Sequence, residues 1–311
     1  MLGVPADQIS RHDNFFDRGG SSLSAVKLAI TLDRAVSLKE LTRHPVLADM
    51  AGLVDGKSER RPGLLQPLLE PDGGAGAALV CFPYADGNAV NFRPLASALR
   101  DSGLAVYAVE LPGHDLGAES EPFASMAQDV GQVAAEITER GLSRVLLWGH
   151  SSGAAFALAA AGTLGERGVE VQRVFLGAQL PGNAARRRAS VTELSGQSDA
   201  EIAAALGANG GYTELGELDA GRIGAAYRHD CVSAHRYLAD ALDNPPAVRL
   251  SAPVTVVAAA DDPATADFAG RYRDWQFLAD RVDLHELADG GHYFLRTRPA
   301  EAAEAVLIHT H

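Results

Sequence analysis

The sequence predicts an α/β fold preceded by a small all-helical segment, and three observations carry this. From about residue 64 onward, near-continuous apolar runs alternate with amphipathic helical stretches, the pattern of strands covered on both faces by crossover helices. Residues 1–55 hold only short helical patterns. Between these parts, residues 56–63, Gly56-Lys57-Ser58-Glu59-Arg60-Arg61-Pro62-Gly63, are polar and punctuated by Gly and Pro, as an exposed linker would be. The expected division is therefore 1–55, a linker, and 64–311.

Composition narrows the function. At 311 residues and 47% hydrophobic content the chain can bury a large core. A formal net charge of −13 argues against the basic face that a phosphate backbone requires, so nucleic acid is not an expected partner. No apolar run approaches the roughly 20 residues of a membrane helix, and Met1-Leu2-Gly3-Val4-Pro5 lacks the basic and apolar regions of a secretory signal. With only Cys81 and Cys231, far apart, the expectation is a cytoplasmic protein with free thiols and no membrane association. Cys81 ends an apolar strand and reads as a buried structural thiol rather than a nucleophile.

In the leading segment Leu23, Val26 and Ile30 recur at helical spacing, predicting a helix that begins at Ser22 and buries that face. Ser37-Leu38-Lys39-Glu40 matches a capping box, and Pro45 followed by Leu47, Met50 and Val54 predicts one more helix. Ahead of the first helix, Gly19-Gly20 bends the chain sharply onto Ser22. A phosphodiester on Ser22 would be favoured by the helix N-terminus, whereas an unmodified Ser22 would serve as an N-cap; the local pattern leaves both open.

The run Asp13-Asn14-Phe15-Phe16-Asp17-Arg18-Gly19-Gly20-Ser21-Ser22-Leu23 resembles the phosphopantetheine attachment motif of peptidyl carrier proteins, and Leu38 to Val54 resembles their third and fourth helices. The resemblance implies Ser22 as the acceptor of covalent 4′-phosphopantetheine, added by a separate phosphopantetheinyl transferase. It also implies that the long first helix of such bundles is truncated here to Met1-Leu2, leaving an apolar groove exposed.

In the second part, Ala78 to Phe82, Ala105 to Leu111, Val145 to Trp148, Val171 to Leu176 and Val254 to Ala259 read as strands of a doubly wound parallel sheet. Asn91 to Ser102, Phe123 to Arg140 and Ser152 to Leu164 read as the helices between them. Gly149-His150-Ser151-Ser152-Gly153 follows the Val145 strand and precedes an Ala-rich helix. That is the context of a nucleophile elbow in an α/β-hydrolase fold, and it nominates Ser151.

A serine nucleophile needs a base, and in this fold the order along the chain is Ser, acid, His. His292, in Asp289-Gly290-Gly291-His292-Tyr293, follows the strand-like Val282 to Leu287 and is the strongest of ten histidines. The acid should end a strand between them; Asp261-Asp262-Pro263 does so, and either aspartate could orient the imidazole.

From about residue 64 to 308 the chain resembles the thioesterases of nonribosomal peptide and polyketide assembly lines. Phe82-Pro83-Tyr84-Ala85-Asp86-Gly87, Glu110-Leu111-Pro112-Gly113-His114 and Gly290-Gly291-His292-Tyr293-Phe294-Leu295 carry the resemblance. It implies a catalytic triad of Ser151, Asp262 and His292, with Asp262 preferred to Asp261 because the family's acid stands just before the Pro. It further implies an oxyanion hole from the backbone amides of Ala85 and Ser152. Asp86 departs from the glycine common in that loop. Phe175-Leu176-Gly177-Ala178-Gln179 carries no carboxylate where many product-releasing enzymes keep their acid, so the pattern resembles the editing, type II subclass. Gln179 to Gly182 and Ala203 to Cys231 resemble the tails of hydroxyphenyl-oxazoline siderophore synthetases of the mycobactin type.

Residues 183–249 interrupt the sheet with helical patterns and read as a lid, with hinges in Gly207 to Gly216. The expected activity is serine hydrolysis of acyl or peptidyl thioesters from a phosphopantetheine carrier, for release or editing. Carrier domains, upstream synthetase modules and small acyl substrates are the implied partners. Macrocyclising release, a carrier with an inactive hydrolase fold, and a general carboxylesterase are the alternatives. No metal-ligand cluster is read from the sequence, so the pantetheine arm is the only implied cofactor.

Overall fold

A computed structural model describes residues 5, 8–32, 34–55, 63–71, 76–117, 121–208 and 217–309. Met1-Leu2, all of the expected linker except Gly63, residues 209–216 of the expected hinge and the Ser22 side chain lie outside the described set.

The leading segment holds α1 (Ser22–Thr31), α2 (Leu38–Arg43) and α3 (Leu47–Asp55). Ser21, not Ser22, is the N-cap of α1: its hydroxyl accepts from the Ser24 amide, while Ser24 closes a capping box back onto the Ser21 amide. Ser22 is thus the first helical residue. The expected capping box at Ser37 and Glu40 is present on α2. The buried stripe of α1 is Ala25, Val26 and Ala29, whereas Ile30 is 41% exposed. The sequence pattern weighted the bulkiest residues, but the close helix contact falls on the two alanines beside Val26.

The rest of the chain runs β1 (Leu65–Leu69), β2 (Ala78–Phe82), α4 (Arg93–Ala98), β3 (Ala105–Val109), α5 (Met126–Glu139), β4 (Arg144–His150), α6 (Gly153–Glu166) and β5 (Glu170–Gly177). Three helices follow, α7 (Ala184–Gly196), α8 (Asp199–Ala208) and α9 (Glu217–Asp243). Then come β6 (Val254–Ala259), α10 (Phe268–Arg271), β7 (Val282–Leu287), α11 (Phe294–Thr297) and α12 (Pro299–Leu307). The seven strands lie in the order β1-β3-β2-β4-β5-β6-β7. All neighbours pair in parallel except β1, an antiparallel edge on β3 with a register shift between Pro67 and Leu69. Sequence reasoning missed β1. Its Pro67 cannot donate to a ladder, which a bulged edge tolerates and an interior strand does not.

Burial follows the strand period of two. In β2, Ala78, Val80 and Phe82 enter the core beneath α5 and α6, while Leu79 and Cys81 enter the core beneath α4 and α12. Cys81 is fully buried, as expected, and burial alone pushes its thiol well up. Among the described residues no helix is long and apolar enough to cross a membrane.

The helical segment packs against the α/β part. The Asp115 carboxylate accepts from the Leu38 and Lys39 amides at 2.9 and 3.1 Å. Arg93 lies over the Phe16 ring, 4.3 Å from its centroid, and donates to the Thr42 carbonyl. Leu116 and, from α9, Ile223 join the core of Phe15, Val26, Leu38 and Leu41. Of the large apolar side chains described in this segment, Ile30 and Val54 are exposed.

Candidate active site

The site is built where β4 turns into α6. Ser151 has φ +53°, a left-handed backbone that costs a non-glycine residue of the order of 1–3 kcal/mol. It is held by its own amide donating to the Gly177 carbonyl at 2.8 Å. Only glycine fits on either side: a Cβ at Gly149 would overlap the Gly153 and Ala154 backbone, and one at Gly153 would overlap the carbonyls of Phe82 and Pro83.

Sequence-nominated residues from distant elements meet here. His292 Nε2 is 3.0 Å from Ser151 Oγ, and His292 Nδ1 is 3.0 Å from Asp262 Oδ2. Asp262 is 1% exposed. Burial pushes its carboxyl up, but hydrogen bonds from His292, the Ala264 amide and Thr265 outweigh that and hold it below the ordinary carboxylate value. It stays ionised beside the imidazole, with Nδ1–H donating to it. Asp261 does a different job, accepting from the Gly291 amide at 2.7 Å and so fixing the loop that carries His292.

The amides nominated for an oxyanion lie at the same place. Ala85 and Ser152 are 6% and 7% exposed, and neither amide has an acceptor among the described residues. Both line a cavity of about 520 Å³ together with Ser151, His292, Tyr227 and Cys231. That volume lies within the roughly 300–1,000 Å³ of small-molecule sites. The α9 helix contributes Tyr227, Cys231 and Ala234 to the cavity wall.

Sequence reasoning gave no role to several groups. His150, fully buried, is held neutral because burial drives its pKa down to about 3; its Nε2–H donates to the His292 carbonyl at 2.7 Å. Asp86 stands at φ +59° and its amide donates to Asp230 at 3.0 Å. Burial, then the Asp230 carboxylate and to a lesser extent that of Asp86, push the Cys231 thiol up to about 12. The only local signal for this cluster was the Glu110–His114 motif; Asp230 carried none.

The thioesterase domain profile matches residues 77–311. The chain belongs to the thioesterase family. Residues 1–54 match the phosphopantetheine attachment site profile, making the chain a peptidyl carrier–thioesterase didomain of the nonribosomal peptide synthetase kind. It is 29% identical to indigoidine synthase of Dickeya dadantii over 202 residues, covering 62% of this chain and 13% of that protein. It is 30% identical to the probable cadicidin biosynthesis thioesterase of Streptomyces griseus over 223 residues, covering 70% of this chain and 58% of that one. Among solved structures, RedJ, a thioesterase from the prodiginine pathway of Streptomyces coelicolor, superposes with a TM-score of 0.62 at 27% identity, covering 81% of this thioesterase chain and 95% of RedJ. The chain spans a minor fraction of the synthetases it matches and just over half of the cadicidin enzyme.

A carrier segment of this family takes a covalent 4′-phosphopantetheine. The residues present fit that group. A Cβ on Gly20 would overlap the Phe15 ring, so the turn before α1 must stay bare. Gly20 and Ser21 border a cleft that is also lined by Asp17 and by Arg93, Arg100 and Arg296, three cations against one carboxylate, a balance suited to a phosphodiester.

Proposed function

We propose that this thioesterase hydrolyses acyl or peptidyl thioesters from the phosphopantetheine arm of a carrier, with Ser151 as nucleophile, His292 as general base and acid, and Asp262 as the orienting acid. The observation that carries the reading is the continuous hydrogen-bonded line Ser151–His292–Asp262, 3.0 Å at each step, opening into the cavity. Ser22 is the proposed attachment point, and the arm, when attached, supplies a flexible thiol that presents the acyl group as a thioester.

His292 takes the Ser151 proton as Oγ attacks the thioester carbonyl, and the amides of Ala85 and Ser152 receive the oxyanion. The C–S bond then breaks, His292 returns the proton to the departing sulfur, and an ester remains on Ser151. His292 next deprotonates a water that attacks this ester, and the acid leaves as Ser151 regains its proton. Two buried donors that have no other described acceptor are what such a hole requires.

Hydrolysis of short acyl groups, in editing or release, is favoured over macrocyclisation by the cavity of about 520 Å³, which suits a small acyl group better than a folded peptide. The upstream synthetase modules and the transferase that modifies Ser22 are the proposed partners, and the proposed location is the cytoplasm. The test is a matched pair of an acyl-pantetheine thioester and the corresponding oxygen ester, with fluorophosphonate labelling mapped by peptide mass. Faster thioester turnover with the label on Ser151 is expected; an unlabelled Ser151, or preference for the oxygen ester, contradicts the reading.

A further inference from the structure

The oxyanion loop that follows β2 closes its own turn, the Gly87 amide donating to the Tyr84 carbonyl at 2.9 Å, and takes a further restraint from another element. Asp86, immediately after Ala85, occupies the left-handed region at φ +59°, where a residue with a side chain needs an external restraint. One such restraint comes from α9. The Asp86 amide donates to Asp230 Oδ2 at 3.0 Å, and Asp230 sits in the middle of α9 at 2% exposure.

The carboxylate is itself fixed from two other sides. His114, in the loop after β3, places Nε2 2.8 Å from the same Oδ2, and His229 Nδ1 lies 3.2 Å from Oδ1. His114 Nδ1 is 3.0 Å from the Pro112 carbonyl, which can only accept, so both ring nitrogens carry protons and the ring is an imidazolium. Burial opposes this charge, but the neighbouring Asp230 carboxylate and its hydrogen bond raise the His114 pKa to about 9. Asp230 is held in its ionised form: burial pushes its carboxyl up, and His114 with His229 brings it below the ordinary value. A buried ion pair is a poor source of stability compared with apolar packing, so its presence here calls for another reason.

We propose that Asp230 is a positioning residue for the oxyanion hole: by holding the Asp86 amide it fixes the direction of the adjacent Ala85 amide, and it makes the seating of lid helix α9 a condition for hydrolysis. This rests on the reading of Ser151 as nucleophile. The same helix walls the cavity with Tyr227, Cys231 and Ala234. A lid displaced from the cavity therefore also releases the loop, and the donors align only when α9 covers the substrate.

Asp230→Asn can keep an oxygen at the Oδ2 position, where it accepts from both the Asp86 amide and His114 Nε2–H while its NH2 faces His229 Nδ1, whereas Asp230→Ala keeps no acceptor there. Steady-state hydrolysis of an acyl-pantetheine by the full chain should show kcat within about threefold of wild type for Asn and lowered roughly 10- to 100-fold for Ala, below the ~10²–10³ of removing a donor outright, with KM little changed. A folded Ala variant with wild-type kcat, or equal losses in Asn and Ala, would overturn the proposal. Should the Ala variant not fold, amide hydrogen exchange in the wild type decides. The Asp86 amide should exchange much more slowly than the Ala85 amide, and exchange of Asp86 at the rate of an open loop amide would overturn the proposal. That exchange measurement does not depend on Ser151, whose own failure would show instead as absent turnover and absent fluorophosphonate labelling in the wild type.

Discussion

Both serine turns of this chain follow glycine and open a helix, yet their surroundings differ. At residue 22 the chain leaves Gly19-Gly20 and enters α1 in ordinary helical geometry, its first turn secured by Ser21 and Ser24. At residue 151 the backbone is forced to φ +53° between β4 and α6, with an imidazole 3.0 Å away. A helix start beside a cationic cleft suits a residue that is modified by another enzyme. Strain, a base and two unclaimed amides are needed for a residue that attacks.

The largest expected effect breaks the second turn alone. Ser151→Ala should lower thioester turnover roughly 10⁴-fold or more, and Asp262→Asn by a similar order, because the orienting acid fixes the imidazole tautomer. Release of free acid, followed by chromatography, measures both, and Asp261→Asn should cost far less if its role is only to hold the Gly291 amide. The first turn is broken separately. Incubation with a phosphopantetheinyl transferase should add the arm's mass to wild type and to Ser21→Ala, and not to Ser22→Ala; addition to all three would move the attachment point elsewhere.

A smaller effect tests the rigidity of the elbow. Gly149→Ala places a methyl group against the backbone of Gly153 and Ala154 and should destabilise the fold by about 1–3 kcal/mol, read from denaturant unfolding. The smallest is a pH dependence. His114 is raised from 6.5 to about 9, so its pairing with Asp230 stabilises the fold fully below the lower value and is lost as pH rises through about 9. Asp230 is lowered from 3.8, so its share is present above that value and lost as pH falls below it. Thermal melts should therefore fall between about pH 6.5 and 9 in wild type and less steeply in His114→Gln.

Much of this was legible in the sequence because parallel strands covered on both faces leave unbroken apolar runs. The bounds expected for Val254–Ala259 and Val282–Leu287 coincide with β6 and β7. Candidate site residues at strand ends were legible for a related reason: the glycines of the Gly149–Gly153 turn mark a close backbone approach, and Gly290-Gly291 marks a turn of positive φ. Edge strand β1 escaped because Pro67 reads as a breaker. The His114–Asp230–Asp86 cluster escaped because its hydrogen bonds join residues 116 and 144 positions apart, and a lone Asp inside a polar helix looks like solvated surface. Only the folded chain makes that surface a buried one.

The most direct test of the central claim is the fate of an acyl group carried on this chain. The full didomain would be loaded with an acetyl-pantetheine arm at Ser22 and followed by intact-protein mass spectrometry, wild type beside Ser151→Ala. Loss of the acyl mass as free acid in wild type, with its retention in Ser151→Ala, is the predicted result. Equal retention in both proteins, or equal loss from both, would contradict Ser151 as the residue that cleaves the thioester.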